Sequence, residues 1–336
     1  MKDRSRVPLV IAAVLLLVVS PAFAGSWRVG PDQTACPGGC NFFGATGIQD
    51  AMVNLSVLPG DTVTVWPGTY GGGTTINLKS GIFLRSADGP ENTMIVGGAG
   101  ASPAIFIVGA QAGTIVEGFT LTWDADLNSL GGGIAAYVSD GIIRNNWFVS
   151  NQASVGSGLY LQACGMLVQN NLFLTNQTNA GGGAVAVSGG TPTIRNNTFT
   201  GNYSPFGYDG SSFYVTGATF VFDRNVVEGS LGSPAMFCGG GNTPSVSCNI
   251  FWNNELGAFA GQCSDSVGTS GNIAADPLFC SPGTNFGMCS DSPAFNGPCG
   301  TIGYAWPGGN CAACRPTAVA ASFDAMPWGR VKALYR

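Results

Sequence analysis

One short phrase recurs five times in this chain of 336 residues. Each copy has an apolar residue, two polar residues, an asparagine and, two residues later, an aromatic or aliphatic residue, as at 143–148. A degenerate copy without the asparagine occupies 116–121. The last apolar residues of the six copies lie 27, 25, 26, 28 and 24 residues apart: Leu121, Phe148, Phe173, Phe199, Val227 and Phe251. Self-similarity at this period indicates a stack of coils and decides the fold class.

Each repeat contains three short apolar runs separated by turns. The first run follows a glycine-rich cluster, as at 131–133, 156–158 and 181–183. Three short strands in a coil of ~26 residues leave no room for a helix. The sequence therefore predicts an all-β right-handed parallel β-helix, with three short strands per coil and neighbouring coils ~4.8 Å apart.

The recurring asparagines are interpreted as structural residues. A tight corner needs a left-handed backbone conformation, which asparagine tolerates, and stacked amides can bond one another as a ladder. A polar ligand surface is the alternative, but recurrence with the coil favours the corner role. The first column is Asn146, Asn171, Asn197, Asn225 and Asn249, and the second is Asn151, Asn176, Asn202 and Asn254, interrupted by Ser230.

A column of exposed charges follows the second run of each coil. Stacking of the coils is expected to place Glu117 beside Arg144, and Arg195 beside Asp223. Exposed pairs of this kind contribute ~0.2–1 kcal/mol each. We therefore expect their main role to be fixing the register of the coils, and not a biochemical function.

Composition restricts the chemistry of the chain. Charged residues are only 9% of it, and it has no histidine, the commonest general base and metal ligand. The formal net charge is −5, which gives no electrostatic footprint for nucleic acid, so no nucleic-acid partner is expected.

The first 24 residues have the pattern of a secretory signal. A basic start precedes an apolar core and a small-x-small cleavage site at 22–24, and the core is too short to span a bilayer comfortably. We expect an exported protein, whether secreted, periplasmic or on the cell surface. The mature chain is expected to have no transmembrane helix.

The cysteines fit an oxidising compartment. Ten of the 11 cysteines cluster toward the two ends, where we expect disulfides, and Cys164 is expected to be buried and unpaired. The motif Cys311-Ala-Ala-Cys314 resembles a redox or zinc motif. Without histidine or a second such pair, a structural disulfide role is favoured over metal.

The ends of an open solenoid need caps. Helical spacing of apolar residues predicts a short capping helix at 47–55, and the cysteine-rich segment from about Asp276 to Cys314 is expected to seal the last coil. A docked tail and an envelope attachment signal remain alternatives for the end of the chain. The expected divisions are a signal at 1–24, an N-terminal cap at 25–61, the β-helix at 62–275, a cysteine-rich cap at 276–315 and a linker with an amphipathic tail at 316–336.

Three stretches of the chain resemble exported right-handed β-helix proteins of the pectin-lyase-like superfamily. They are the segment 48–70 with its Pro-Gly-Asp-Thr-Val-Thr-Val-Trp-Pro-Gly-Thr-Tyr run and its continuation at 82–97, the Asn-Asn-x-Phe coils, and the closing segment 276–303. The resemblance implies the fold across nearly all of the mature chain. It leaves activity open, because this scaffold carries lyases, hydrolases, epimerases and non-catalytic surface proteins.

The resemblance also implies where a site would lie, on the outward face of the first strand of each coil and its adjoining loops. Lyases of the superfamily use carboxylates to bind Ca²⁺ and a basic residue to remove a proton. Hydrolysis needs two facing carboxylates. Alternation sends seven uncharged residues outward on this face, namely Ala135, Tyr137, Tyr160, Gln162, Val185, Val187 and Tyr214, which argues against both activities.

The adjoining loops hold the remaining candidates. Asp124, Asp126 and Asp209 are candidate paired acids, and Asp124, Asp126 and Asn128 have the alternating oxygen ligands of a Ca²⁺ loop, with a solvated loop as the alternative. Aromatic faces stack on sugar rings. The candidate ligand-binding aromatics, which could instead merely cover the sheet, are Tyr137, Tyr160, Tyr214, Trp123, Phe206 and Tyr208.

These features predict an exported, monomeric β-helix protein that binds a polysaccharide or envelope glycan without catalysis or a required cofactor. The alternative is a polysaccharide lyase or glycoside hydrolase that uses the loop aspartates. A purely structural or adhesive envelope protein is the second alternative.

Overall fold

The computed structural model describes residues 24–98, 100, 103–123, 129–205, 210–263, 268–295, 297–307 and 309–312. Within these ranges the chain winds into a right-handed parallel β-helix whose three long faces are three parallel sheets. The described residues contain one helix, Gly47–Val53, at the N-terminal end. The predicted fold class is therefore confirmed. The predicted tail at 316–336 lies outside the described residues, as does the signal segment except for its last residue.

The strands of each sheet follow one another along the solenoid axis. Sheet A comprises Phe42–Phe43, Ser26–Gly30, Thr62–Val65, Phe83–Ser86, Ile115–Glu117, Ile142–Arg144, Leu167–Gln169, Thr193–Arg195, Thr219–Asp223 and Thr243–Ser247. Sheet B comprises Gly68–Tyr70, Thr93–Val96, Thr120–Thr122, Trp147–Val149, Leu172–Leu174, Thr198–Thr200, Val226–Glu228 and Ile250–Trp252. Sheet C comprises Ile76–Leu78, Ile105–Val108, Ile134–Tyr137, Leu159–Cys164, Val185–Gly190, Phe213–Thr216, Met236–Cys238 and Phe259–Gly261. Two small sheets pair Gln152–Val155 with Gln177–Gly181, and Phe279–Ser281 with Asn285–Met288.

The repeated phrase builds the interior of the coils. The phenylalanines that end three of the phrases are completely buried, and Phe173 stacks between Phe148 and Phe199 with ring centroids 4.6 and 4.8 Å apart. Stacking of this kind repeats one contact from coil to coil, because equivalent residues pair in register along the sheet. The period of the sequence is thus the period of the core.

The first asparagine column forms the predicted ladder. The Asn171 amide donates to Asn197 Oδ1 at 3.0 Å and to the carbonyls of Ile143 and Gln169, while its own Oδ1 accepts from the backbone N–H of Asn146. The ladder continues one coil beyond the predicted members, from Asn249 to Asn272. The predicted location of the left-handed residue is wrong by one. Positive φ belongs to the preceding residues, such as Asn145 and Asn170, which turn the chain so that the ladder amides point inward.

The second column forms a similar ladder through Asn151, Asn176 and Asn202. At the break in the column, the backbone N–H of Ser230 donates to Asn254 Oδ1 at 3.0 Å. The hydrogen bond between these two coils is therefore kept at Ser230, because its donor is a backbone N–H and not a side chain.

One of the two predicted ion pairs forms. Arg144 donates to Glu117 with its Nη2 2.7 Å from Oε2. Arg195 lies beside Asp223 in the strand register, as predicted, but the two side chains do not form the ion pair, because Arg195 donates to Gln169 Oε1 and Asp223 pairs with Arg224 at 3.0 Å. Arg144 and Arg195 therefore both reach the coil before their own.

The cysteine expectations divide into confirmed and corrected parts. Cys164 is buried and is not disulfide-bonded. The disulfides between described cysteines are Cys36–Cys40, Cys238–Cys263, Cys248–Cys299 and Cys280–Cys311, and Cys289 is disulfide-bonded as well. Because Cys311 bonds to Cys280, it is not bonded to its neighbour in the Cys-x-x-Cys motif, and this motif is not a closed redox pair.

The cysteine-rich segment takes an unexpected path. Its described residues between 279 and 306, which we call the C-terminal strap, lie against the outer face of sheet B instead of only closing the last coil. The indole of Trp306 stacks on Trp147 at 5.1 Å, and Trp147 Nε1 donates to the Tyr304 hydroxyl at 2.9 Å. The Cys248–Cys299 disulfide anchors this return path. Consequently the apolar outward residues of sheet B that face the strap are buried.

Glu228 is a carboxyl group on this covered face. It is 8% exposed and accepts a hydrogen bond from Thr200 Oγ1 at 2.7 Å. Burial raises the pKa of Glu228 above its ordinary value, with Asp276 adding repulsion and the Thr200 bond opposing the shift. The carboxyl group of Glu228 therefore binds its proton more tightly in the folded protein than in the unfolded chain.

Replacing Glu228 with glutamine is expected to flatten the pH dependence of stability. Because the pKa of Glu228 is raised in the folded state, its contribution to the stability of the protein is full below about pH 4.5 and is lost as the pH rises through the folded pKa. The stability of Glu228→Gln relative to wild type should thus increase with pH, as measured by urea unfolding at pH 4 and pH 8. Glu91→Gln, at an exposed side chain, is the control, and parallel pH curves for wild type and Glu228→Gln would contradict the assignment.

Candidate functional site

The outer face of sheet C carries two outward columns of side chains. Paired registers align Ala135, Tyr160, Ala186 and Tyr214 in the first column, and Tyr137, Gln162, Ser188 and Thr216 in the second. The predicted outward positions of Val185 and Val187 are wrong, because both are completely buried and Ala186 faces outward between them. None of these column residues is acidic or basic.

Five aromatic side chains, which we call the aromatic row, lie along this face: Phe106, Tyr137, Tyr160, Tyr214 and Phe237. The Tyr137 ring lies between Phe106 at 5.5 Å and Tyr160 at 5.7 Å, measured between ring centroids. Tyr214 stacks on Phe237 at 5.8 Å with the rings nearly parallel. The small side chain of Ala186 separates these two groups by one coil, so the row is interrupted at its centre.

A wall of turns borders the first outward column. A Cβ added at Gly156 or Gly182 would lie 3.0 or 2.9 Å from Ala186 Cβ, and one at Gly131 would lie 3.0 Å from Ala135 Cβ. All three glycines have positive φ. Glycine in the turns and alanine on the sheet therefore let the wall sit directly on the face, which explains why Ala135 and Ala186 are buried. The aromatic row lies beside this wall.

The polar groups of the row are neutral hydroxyls and amides. Burial raises the pKa of Tyr137 and Tyr160 above the ordinary tyrosine value, and a hydrogen bond with Ser188 partly opposes the shift at Tyr160. Both hydroxyls are thus protonated at neutral pH and can donate hydrogen bonds. Gln162 is exposed in the adjacent column, where it adds an amide donor and acceptor.

The sequence-predicted aromatics are only partly brought together. Tyr137, Tyr160 and Tyr214 share the outer face of sheet C, although Tyr160 is only 8% exposed. The candidate ligand-binding residue Trp123 does not offer its ring to a ligand, because it is 2% exposed, its Nε1 donates to the Gly98 carbonyl at 2.8 Å, and its ring packs on Gly97. Phe206 and Tyr208 lie outside the described residues.

The candidate acids and Ca²⁺ ligands also lie outside the described residues. Asp124, Asp126, Asn128 and Asp209 fall in 124–128 and 206–209, so their proposed roles stay predictions. In the described part of the chain, one group of three or more potential metal ligands lies close together, the sulfurs of Cys280, Cys289 and Cys311. These cysteines are disulfide-bonded and do not offer free thiolates to a metal.

Sequence reasoning missed Phe106 and Phe237, the two ends of the aromatic row. The predicted outward face comprised strands that begin after a glycine cluster, whereas the strands of Phe106 and Phe237 follow Pro103 and Pro234. The signal that could have found Phe106 was its position one coil before Ala135, whose outward direction was predicted.

Comparison with known proteins agrees with this architecture. The family model described as a right handed beta helix region matches residues 103–276, just over half of the chain. The chain belongs to this β-helix family. A structural comparison matches this β-helix protein to pectin methylesterase from carrot with 11% sequence identity and a TM-score of 0.35, over 77% of this chain and 91% of that chain. A comparison with curated proteins finds no match. Over the described residues, no helix has the length and apolarity needed to cross a membrane.

Proposed function

We propose that this β-helix protein is exported and binds a polysaccharide or envelope glycan along the aromatic row of sheet C, without catalysing its cleavage. The observation that carries the proposal is the arrangement of the row itself. Aromatic rings occur on three successive coils, at Phe106, Tyr137 and Tyr160, and again after the coil of Ala186 at Tyr214 and Phe237, with neutral hydroxyls and amides beside them. An extended chain molecule that runs along the solenoid axis would meet an aromatic contact at every coil of the row except that of Ala186.

Carbohydrate fits this chemistry better than other extended ligands do. Aromatic faces stack against the apolar faces of sugar rings, and the tyrosine hydroxyls suit the hydroxyl-rich edges. A strongly charged polymer would need paired charges, which the two described outward columns lack. A long apolar ligand would remove the Tyr137 hydroxyl from solvent without offering it a hydrogen-bond partner.

The same columns support binding without catalysis. Glycoside hydrolysis by the common route needs two carboxylates on either side of the bond, and β-elimination needs a base beside the sugar. The outward residues of the two central columns, from Ala135 to Thr216, supply neither. Four disulfides support export into an oxidising compartment. We propose that the mature protein acts there as a monomer.

Removing the rings of Tyr137 and Tyr214 is expected to weaken glycan binding. Tyr137→Ala and Tyr214→Ala should each raise the Kd for the best-bound glycan about tenfold, since a ring stacked on a ligand contributes on the order of 1 kcal/mol. The measurement is a panel of purified polysaccharides screened by affinity electrophoresis, followed by calorimetry. The control Phe43→Ala removes a 52% exposed ring that lies on a sheet A strand.

Two outcomes would overturn the proposal. Equal affinity in wild type and both tyrosine variants would remove the aromatic row from binding. Depolymerisation of any polysaccharide in the panel, abolished when Asp124, Asp126 and Asp209 are changed to asparagine, would show that the protein is an enzyme. Circular dichroism and thermal unfolding of each variant separate loss of binding from loss of fold.

A further inference from the structure

Asp61 is a buried carboxylate at the N-terminal end of the solenoid. It is 5% exposed, and its Oδ2 accepts from Trp27 Nε1 at 2.8 Å and from the backbone N–H of Leu58 at 2.9 Å. Its Oδ1 accepts from the backbone nitrogen of Gly25 at 2.5 Å. Burial alone would raise the pKa of Asp61, but these hydrogen bonds and the nearby Lys79 hold it below the ordinary value. Asp61 is therefore ionised in the folded protein.

The position of Gly25 suits this close approach. A Cβ at Gly25 would lie 2.9–3.0 Å from the Asp61 carboxylate, so a larger residue would push the carboxylate away. The backbone N–H of Thr62 donates to the Gly25 carbonyl at 2.9 Å, which holds Gly25 beside the first strand of the coils. Ala24 is exposed. The peptide bond between Ala24 and Gly25 thus joins an exposed residue to one held against a buried carboxylate.

The same peptide bond is the cleavage point that the signal pattern predicts. The residues Ala22-Phe-Ala24 end the small-x-small motif, so the first residue after cleavage is Gly25. Hydrolysis of this bond adds one water, leaves a carboxylate on Ala24 and leaves an amine on Gly25. At neutral pH that amine is mostly protonated, since its ordinary pKa is about 7.7–8.0.

We propose that Ala24–Gly25 is a processing site, and that the ammonium group created at Gly25 forms an ion pair with Asp61 that locks the first strand onto the coils. This inference rests on the export proposed above and not on glycan binding. Before cleavage, Asp61 accepts a neutral amide N–H. After cleavage, the same nitrogen carries a full positive charge at the same place, and a charge-assisted bond is stronger than a neutral one. Maturation then stabilises the folded chain.

The first test is the intact mass and N-terminal sequence of the full chain after expression in a secreting host. The product is expected to begin at Gly25. A product that begins at any other residue overturns the proposal, whatever its glycan binding.

The second test is a double-mutant cycle on the exported protein. Insertion of one serine after Ala24 keeps the cleavage motif but turns the Gly25 nitrogen back into a neutral amide. This insertion is expected to lower the equilibrium constant for folding about tenfold when Asp61 is present, and much less in Asp61→Asn. Equal effects of the insertion in both backgrounds contradict the ion pair.

A titration keeps the proposal testable if Asp61→Asn does not fold. The pKa of the Gly25 amine, measured by NMR on the wild-type product, is expected to lie above the ordinary range of about 7.7–8.0. A raised amine pKa also predicts that its stabilisation is present below that range and is lost as pH rises through the folded pKa. An amine pKa within or below the ordinary range overturns the proposal.

Discussion

Asn171→Ala is expected to lower the free energy of unfolding by about 3–5 kcal/mol. The side chain of Asn171 is completely buried and bonds to its own coil and to both neighbouring coils. Alanine would leave the carbonyls of Ile143 and Gln169, the N–H of Asn146 and the amide network beyond them short of partners. Urea unfolding followed by circular dichroism measures the loss.

The matched control is Asn145→Gly, one residue before another member of the ladder. Asn145 has a φ of 56° and is only partly buried, so glycine keeps the left-handed turn and removes only peripheral bonds. We expect a cost below about 1 kcal/mol. If Asn145→Gly destabilises the protein as much as Asn171→Ala does, the backbone turn and not the ladder carries the stability.

Tyr304→Ala is expected to lower the free energy of unfolding by about 3–5 kcal/mol, because it empties the centre of the contact between the strap and sheet B. Tyr304 is 2% exposed, accepts from Trp147 Nε1, and its backbone N–H donates to Thr198 Oγ1 at 3.0 Å. Loosening of the strap should also expose Trp147, which is 5% exposed in the folded protein. A red shift of tryptophan fluorescence at low urea concentration, before global unfolding, is the expected signature.

Tyr304→Phe separates the ring from the hydroxyl. It keeps the packed ring and leaves only the Trp147 N–H without its acceptor, so a cost of about 1–2 kcal/mol is expected with no early fluorescence shift. Tyr304→Ala with unchanged stability and unchanged fluorescence would show that the strap is not held by this contact.

The sequence predicted the coils because each coil repeats the same physical requirements. Buried phenylalanines, inward amides and left-handed corners recur at one spacing, so a single phrase specifies many contacts. The errors in the coils are errors of one position. The left-handed turn lies at Asn145 and not at Asn146, and Ala186 and not Val185 faces outward, because neighbouring residues of similar type differ only in direction.

The path of the C-terminal strap could not be predicted from the repeat period, because a segment that crosses the coils has no repeat of its own. A local signal did exist. The runs Trp147–Val149 and Leu172–Leu174 are apolar at every position, whereas a strand with one solvated face alternates. Both faces of sheet B therefore had to be covered, although the sequence does not say by which segment.

For the candidate site, the sequence could predict which sheet face carries it, but not which side chains on that face are accessible. Alternation placed Tyr137, Tyr160 and Tyr214 outward, but the burial of Trp123 depends on the close approach of Gly97 from the previous coil. Contacts of this kind depend on how far a turn reaches, and residue spacing does not determine that distance.

The most direct test of glycan binding is hydrogen exchange with and without the best-bound glycan. Binding along the aromatic row is expected to slow exchange at Ile105–Val108, Ile134–Tyr137 and Phe213–Thr216 of sheet C, and to leave the sheet A strands Ile142–Arg144 and Leu167–Gln169 unchanged. Protection confined to sheet A, or no protection on sheet C at saturating glycan, would contradict the account.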